Sequence, residues 1–109
     1  MLRGFALLKD GSAERIESRL ELAAALERGY TGIWIDLEDP DTEILNAIGD
    51  AFHLDAEALD DCLSGDQRPR IDEFEHCLFL LTYGAVGPES VEKYDPRKVS
   101  AFIGHDFVI

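Results

Sequence analysis

Two adjacent acids, Asp60 and Asp61, are the side chains of this sequence best suited to bind a cation. Hydrophobic spacing predicts a short helix over Ala56–Leu63, which places both acids near its C-terminal end and near solvent. Negative charge is unfavourable there by roughly 0.3–1 kcal/mol for each acid, because the negative end of the helix dipole is close. A divalent cation such as Mg²⁺ or Ca²⁺ would correct this excess. The pair therefore predicts part of a cation site; the alternative is a solvated acidic surface.

A basic step, Gln67–Arg70, follows this helix and leads into an apolar strand. Pro69 restricts Arg68 to extended backbone conformations. Because Asp66 and Asp72 flank the step, we expect an ion-pair clamp that joins the helix to the strand. Phosphate binding is the alternative function, but the segment lacks the Gly-rich loop that usually cradles phosphate.

A second acidic group comes directly after a predicted strand over residues 33–37. Its members are Asp36, Glu38, Asp39 and Asp41. Acids at a strand end can form a phosphotransfer or phosphatase site, but such sites also need a well-placed lysine, which the order of elements does not supply, Lys98 included. Asp39 has a simpler interpretation as the N-cap of a second helix that begins at Pro40. This group therefore predicts helix capping rather than catalysis.

The histidines and cysteines do not predict a zinc site. His53, His76 and His105 share no zinc-binding spacing with Cys62 and Cys77. The two cysteines sit in apolar patterns, so they are predicted to be reduced core residues rather than a disulfide framework. No order of residues argues for a nucleophilic catalytic triad either, and we expect the chain not to be an enzyme.

Composition limits the partners of the protein. The chain has 109 residues, enough for a single domain with one hydrophobic core. Its formal net charge of −13 argues against nucleic acid and anionic membrane surfaces, and favours cations or basic partners. No signal peptide or membrane helix is predicted. Because the sequence ends on the apolar strand-like run 107–109, we expect residues 1–109 to be a single domain cut from a longer protein.

The remaining patterns predict an α/β fold. Strands are predicted over residues 4–8, 13–17, 33–37, 71 to about 86 with a bend near Glu75, 99–103 and 107–109. Helices are predicted over residues 19–28, from 40 onward and over 56–63. Ser18 and Gly29 are predicted to cap the first helix, Asp55 the third, and residues 87–96 to form a polar loop. We expect a mixed sheet of about five to seven strands covered by about three helices. The long strand is apolar on both faces, which predicts a central position between two layers.

Residues 33–109 carry a resemblance to a known family. Its motifs are Trp34–Leu37, the run Leu54–Leu63 with the acid pair, Gln67–Phe74, Leu78–Leu81, Val99–Gly104 and Phe107–Ile109. With these motifs the chain resembles the N-terminal cytoplasmic domain of the CorA family of divalent-cation transporters. The segment from the short helix into Gln-Arg-Pro-basic-Ile-Asp-Glu-Phe is the most specific part.

The resemblance implies a fold, a location and a role. It implies a mixed sheet between helical layers, at the cytoplasmic face of the cell membrane, in a homopentameric channel that moves Mg²⁺, with Co²⁺ as a further substrate. It also implies that Asp60 and Asp61 ligate a regulatory Mg²⁺ between neighbouring subunits. The other ligands would come from a long helix after this domain. The stalk, the membrane helices and the Gly-Met-Asn pore motif of the family are absent from this sequence.

Two other functions stay open on the sequence. A related zinc transporter would share this domain, and its ion would be decided by residues outside the chain. A metal-dependent phosphatase that uses Asp36 is the enzymatic alternative. The leading hypothesis is a regulatory, metal-sensing domain of a CorA-like Mg²⁺ transporter.

Overall fold

We describe the protein from a computed structural model, which covers residues 1–64, 68–85 and 96–109. The strands are β1 (Leu2–Leu8), β2 (Ala13–Ile16), β3 (Tyr30–Leu37), β4 (Arg70–Glu73), β5 (Cys77–Ala85), β6 (Pro96–Gly104) and β7 (Phe107–Val108), and the helices are α1 (Arg19–Arg28), α2 (Thr42–Phe52) and α3 (Ala56–Leu63). Asp66, Gln67 and all of the predicted polar loop 87–96 except Pro96, which begins β6, lie outside the described residues.

The seven strands form one mixed sheet in the order β2-β1-β3-β7-β6-β5-β4. Only the pair β3 and β7 is parallel among the described strands, and the other neighbours are antiparallel. With three helices packed on this sheet, the predicted α/β class is confirmed, and the strand count lies at the upper end of the predicted range.

The hydrophobic core lies between the helices and one face of the sheet. Alternate strand residues such as Ala6, Ile35 and Phe79 point to this face and are buried. They join buried side chains of all three helices, among them Leu22 and Ile48, in one cluster. The helices therefore cover a single face of the sheet.

The local signals at α1 and α3 predict their boundaries correctly. The Ser18 side chain accepts a hydrogen bond from the Glu21 backbone N–H, and α1 ends at Gly29, whose φ of 85° suits glycine. The Asp55 carboxylate accepts from the Ala58 N–H at the start of α3. These caps work because each cap and its partner lie within a few residues of each other.

The predicted N-cap of α2 is wrong. Asp41, not Asp39, caps this helix, and its carboxylate accepts a hydrogen bond from the Ile44 N–H at 2.8 Å. Pro40 precedes the helix instead of starting it. Asp39 has a φ of 49°, a left-handed conformation that turns the chain between β3 and α2.

The long strand predicted from residue 71 to about residue 86 is wrong as one strand, although the bend predicted near Glu75 lies where the chain turns. The chain turns after β4, and the Phe74 N–H donates to the Cys77 carbonyl at 2.8 Å. The two halves pair as an antiparallel hairpin in which Ile71 lies opposite Leu80. A strand of that length would exceed the usual range, and the polar pair Glu75 and His76 occupies the turn.

The other face of the sheet is apolar and exposed. β5 is not central but lies next to the edge strand β4. Large apolar side chains on this second face are between 39% and 65% exposed: Phe5, Leu7, Trp34, Ile71, Leu78, Val99, Ile103 and Val108. The second layer that the sequence predicts is therefore not supplied by the described residues. None of the helices in the described ranges is long and apolar enough to cross a membrane.

Candidate metal site

The acid pair is carried by α3, which is held against α2. Ala58 and Leu59 are buried on its inner side. A Cβ atom added at Gly49 of α2 would lie 2.4 Å from Leu59 Cδ1, so the two helices approach too closely for a larger residue. This contact fixes how closely α3 packs against α2, and it therefore also fixes the positions of Asp60 and Asp61.

The end of α3 is closed by Ser64. The Asp60 carbonyl accepts hydrogen bonds from both the backbone N–H and the hydroxyl of Ser64, each at 3.0 Å. These bonds satisfy one of the last carbonyls of the helix, which have no partner within the helix itself. Local hydrogen bonds therefore hold the backbone at the end of α3, which carries the acid pair.

Arg70 of β4 forms the ion-pair clamp. Its guanidinium donates to the Asp61 carboxylate and, at 2.7 Å, to the Asp72 carboxylate. It also lies over the Phe79 ring, with Cζ 5.4 Å from the ring centroid. The predicted clamp between helix and strand is therefore present, but its cation is Arg70 rather than Arg68, and its partner on the helix is Asp61.

Lys98 of β6 is a second cation at the same helix end. Its Nζ donates to the Asp61 carbonyl at 2.7 Å and to the Ser64 carbonyl. A lysine at this position satisfies the last carbonyls of the helix and meets the negative end of its dipole. Lys98 was predicted to be poorly placed for a site with the acids that follow β3, and no local signal connects it with α3.

The two acids of the pair differ in their surroundings. The Asp61 side chain is only 26% exposed and is paired with Arg70, whereas Asp60 is exposed. The expectation that both acids are uncompensated at the helix end is therefore wrong for Asp61, because cations from β4 and β6 reach it. Within the described ranges, the Asp60 carboxylate makes no hydrogen bond or ion pair.

The pair supplies oxygen donors of the right chemistry for Mg²⁺ but too few of them. Mg²⁺ prefers six oxygen ligands and is commonly held by one or two carboxylates together with water. No group of three or more His, Cys, Asp or Glu side chains is arranged to hold a metal in the described part of the chain. Asp60 and Asp61 can therefore form part of a ligand set, and Asp61 would first have to exchange Arg70 for the cation.

Two ionisable groups at the site have shifted pKa values. The carboxylates of Asp72 and then Asp61 raise the pKa of Arg70, which keeps the guanidinium charged. Burial raises the pKa of the Cys62 thiol, against smaller lowering effects of Ser100 and Lys98. Cys62 is therefore a neutral thiol near neutral pH, in line with the prediction of a reduced cysteine, and no disulfide is formed.

The acids that follow β3 have structural partners, and Asp36, Glu38 and Asp39 line a cavity of about 650 Å³ together with Lys98. Asp36 pairs with Arg3 on the exposed face of the sheet, with Arg3 Nε and Asp36 Oδ2 at 3.2 Å. Asp41 is used as the helix cap and Asp39 lies in the turn before it. These contacts support the prediction that the acids after β3 serve the turn and the helix cap.

The histidines meet at one end of the molecule. His53, His76 and His105 line a common cavity of about 410 Å³ together with Tyr30 and Asp106. Burial, with Asp106 nearby, raises the pKa of Tyr30. The sequence did not predict this grouping, because the three histidines lie in separate turns.

The family described as "CorA-like Mg2+ transporter protein" matches residues 30–109. This is most of the chain, so the protein belongs to the CorA-like Mg²⁺ transporter family. The matched residues include the acid pair and Arg70, and the family expected from the motifs is confirmed.

A relative from Bacillus subtilis (strain 168) supports the same family. It carries the name "Putative metal ion transporter YfjQ" and is 27% identical over 103 residues. The alignment covers 94% of this chain but only 28% of the relative. The chain thus spans little more than a quarter of the length of the protein that it matches.

Proposed function

We propose that this chain is the metal-sensing cytoplasmic domain of a CorA-like transporter that moves Mg²⁺, with Co²⁺ as a further substrate. The observation that carries the proposal is the acid pair at the end of α3, inside the segment that matches the family. The domain lies at the cytoplasmic face of the cell membrane and is not an enzyme. Regulation, rather than transport, is the role of these 109 residues.

The sensing step is an exchange of cations on Asp61. Without bound metal, Arg70 holds the Asp61 carboxylate. A divalent cation that approaches the exposed Asp60 carboxylate competes with Arg70 for Asp61, because both cations need the same oxygens. When the cation succeeds, Arg70 keeps Asp72 as its partner, so the guanidinium remains paired. The exchange therefore changes the link between α3 and β4 without leaving an unpaired charge.

The remaining ligands come from a neighbouring subunit. In a homopentamer, the exposed side of α3 faces the next subunit, and oxygens of the long helix after that subunit's domain complete the coordination of Mg²⁺ together with bound waters. Bound Mg²⁺ then holds two subunits together only when the cation is abundant. The contact between subunits stabilises the closed pore, so the domain senses the Mg²⁺ concentration. Because each domain has a net charge of −13, neighbouring domains repel each other when no cation is bound. Cation binding therefore strongly favours the state in which the two subunits are in contact.

A flux assay on the full-length transporter tests the proposal. We expect the Asp60→Asn/Asp61→Asn double variant to keep transporting at Mg²⁺ concentrations that close the parent protein. Asp50→Asn changes an exposed acid on α2 and serves as the control that should close normally. Unchanged closure in the double variant would refute the sensing role.

The same assay distinguishes the transported ion. Zn²⁺ flux that exceeds Mg²⁺ flux in the parent protein would favour the related zinc transporter instead. That result would not test the role of the acid pair, which only the closure of the Asp60→Asn/Asp61→Asn variant tests. The two results are independent, because one concerns the pore and the other concerns this domain.

A further inference from the structure

Two backbone carbonyls at the end of α3 share one ammonium group. The Nζ atom of Lys98 donates to the Asp61 carbonyl at 2.7 Å and to the Ser64 carbonyl. The Asp61 carbonyl belongs to the last turn of α3, where carbonyls have no partner within the helix. The ammonium therefore lies on the oxygens that a helix end offers to a cation, and we call these two oxygens the carbonyl pair.

The strand β6 directs Lys98 to this helix end. Alternate residues of β6 face the helices, since Phe102 is buried in the core and Ser100 lies beside the Cys62 thiol of α3. Lys98 is the next residue in this row and is partly buried. Because the sheet holds the stem of Lys98, its ammonium acts on α3 as a tethered cation.

The carbonyl pair and the acid pair meet at Asp61. This residue offers its carbonyl to Lys98 and its carboxylate to Arg70. The Asp60 carboxylate, one residue earlier, is exposed. The end of α3 thus presents two kinds of oxygen, and Lys98 occupies the carbonyls while it leaves the Asp60 carboxylate open.

The two kinds of oxygen suit different divalent cations. Ca²⁺ takes about six to eight oxygen ligands and commonly uses backbone carbonyls among them. Mg²⁺ dehydrates reluctantly, keeps several waters and is usually held by one or two carboxylates. A site that offers carboxylates and withholds carbonyls therefore favours Mg²⁺ over Ca²⁺.

We propose that Lys98 is a specificity-determining residue of this site, because its ammonium withholds the carbonyl pair from Ca²⁺. The inference rests on the proposed metal-sensing function and adds a regulatory preference to it. Ca²⁺ at the acid pair has to displace Lys98 before it gains the carbonyls, whereas Mg²⁺ completes its coordination with water. Arg70 has a separate effect, since it competes with either ion for the Asp61 carboxylate.

Titrations of this chain with Ca²⁺ and with Mg²⁺ test the proposal. Chemical shifts of the α3 backbone amides give a dissociation constant for each ion in the parent and in each variant. Lys98→Met removes the ammonium and keeps an unbranched stem, so we expect Ca²⁺ to bind about tenfold more tightly and Mg²⁺ less than about threefold more tightly. Lys98→Arg keeps a cation with several donors and should retain the parent's ratio of the two affinities.

A matched control separates charge from ligand access. Arg97→Met makes the same change of net charge at the neighbouring, exposed residue of β6, so it should affect both ions equally. An unchanged ratio in Lys98→Met would overturn the proposal, because Lys98 would then act through its charge alone or only as a cap of α3. Ca²⁺ binding that stays undetectable in Lys98→Met would overturn it as well. Lys98→Gln, which is also uncharged, provides the same comparison if the methionine variant does not fold.

The fate of this inference is distinguishable from that of the sensing function. Closure of the Asp60→Asn/Asp61→Asn transporter tests sensing, and the ratio of Ca²⁺ to Mg²⁺ affinity tests Lys98. Normal closure together with a raised ratio in Lys98→Met would refute sensing and support the role of Lys98. Lost closure together with an unchanged ratio would do the reverse.

Discussion

Gly49→Ala tests whether the close approach of α2 and α3 positions the acid pair. The added Cβ would lie 2.4 Å from Leu59 Cδ1, and Leu59 is only 8% exposed, so it has little room to move. Overpacking of this kind costs about 2 kcal/mol. Alanine recovers about 1 kcal/mol through its higher helix propensity. The expected net loss is therefore about 1 kcal/mol of unfolding free energy.

A double-mutant cycle separates the two contributions. In a Leu59→Ala background the clash is absent, so Gly49→Ala should change sign and stabilise the protein by about 1 kcal/mol. Urea unfolding followed by circular dichroism measures all four proteins. Gly32→Ala, at a position where an added Cβ meets nothing within 4 Å, is the control for the effect of a methyl group alone. A coupling energy below about 0.5 kcal/mol would refute the reasoning.

Three further predictions follow from the fold. Asp41→Ala should cost about 1 kcal/mol as the true cap of α2, whereas Asp39→Gly should stabilise by a few tenths because φ is positive there; equal effects in urea unfolding would contradict this assignment. Phe79→Ala should cost about 3–5 kcal/mol and Leu78→Ala, on the exposed face, less than about 1 kcal/mol, by the same assay. Burial raises the pKa of Cys62 above 9.0 in the folded state, so its contribution is present below that pH and is lost as the pH rises through the raised value. Urea midpoints from about pH 8 to about pH 10.5 should fall less steeply in Cys62→Ala.

The parts of the fold that the sequence predicts correctly are those set by neighbouring residues. The caps of α1 and α3 are local, and Ser18 and Asp55 act within three residues of their partners. The α2 cap was predicted at the wrong residue because Asp39 and Asp41 flank Pro40 and both are good capping residues. The hairpin of β4 and β5 depends on pairing such as Ile71 with Leu80, which periodicity alone does not encode.

The contrast between local and long-range contacts also explains how much of the site could be predicted from the sequence. The position of Asp60 and Asp61 near the end of α3 follows from helical spacing and is confirmed. Lys98 could not be predicted there, because its contact with Ser64 joins residues 34 positions apart. Asp61 is therefore not an uncompensated acid, since Arg70 of β4 and Lys98 of β6 already meet the charge at this helix end.

A Mg²⁺ titration of this chain, followed by NMR at the backbone amides of α3 and β4, tests the central claim most directly. We predict binding in the millimolar range, with shifts concentrated around Asp60 and Asp61, because the ligand set is incomplete. Arg70→Met should tighten binding about fivefold by removing the competing cation, whereas Arg68→Met, with the same change of charge, should tighten it less. Shifts that persist in Asp60→Asn/Asp61→Asn, or binding that is indifferent to Arg70→Met, would contradict the account.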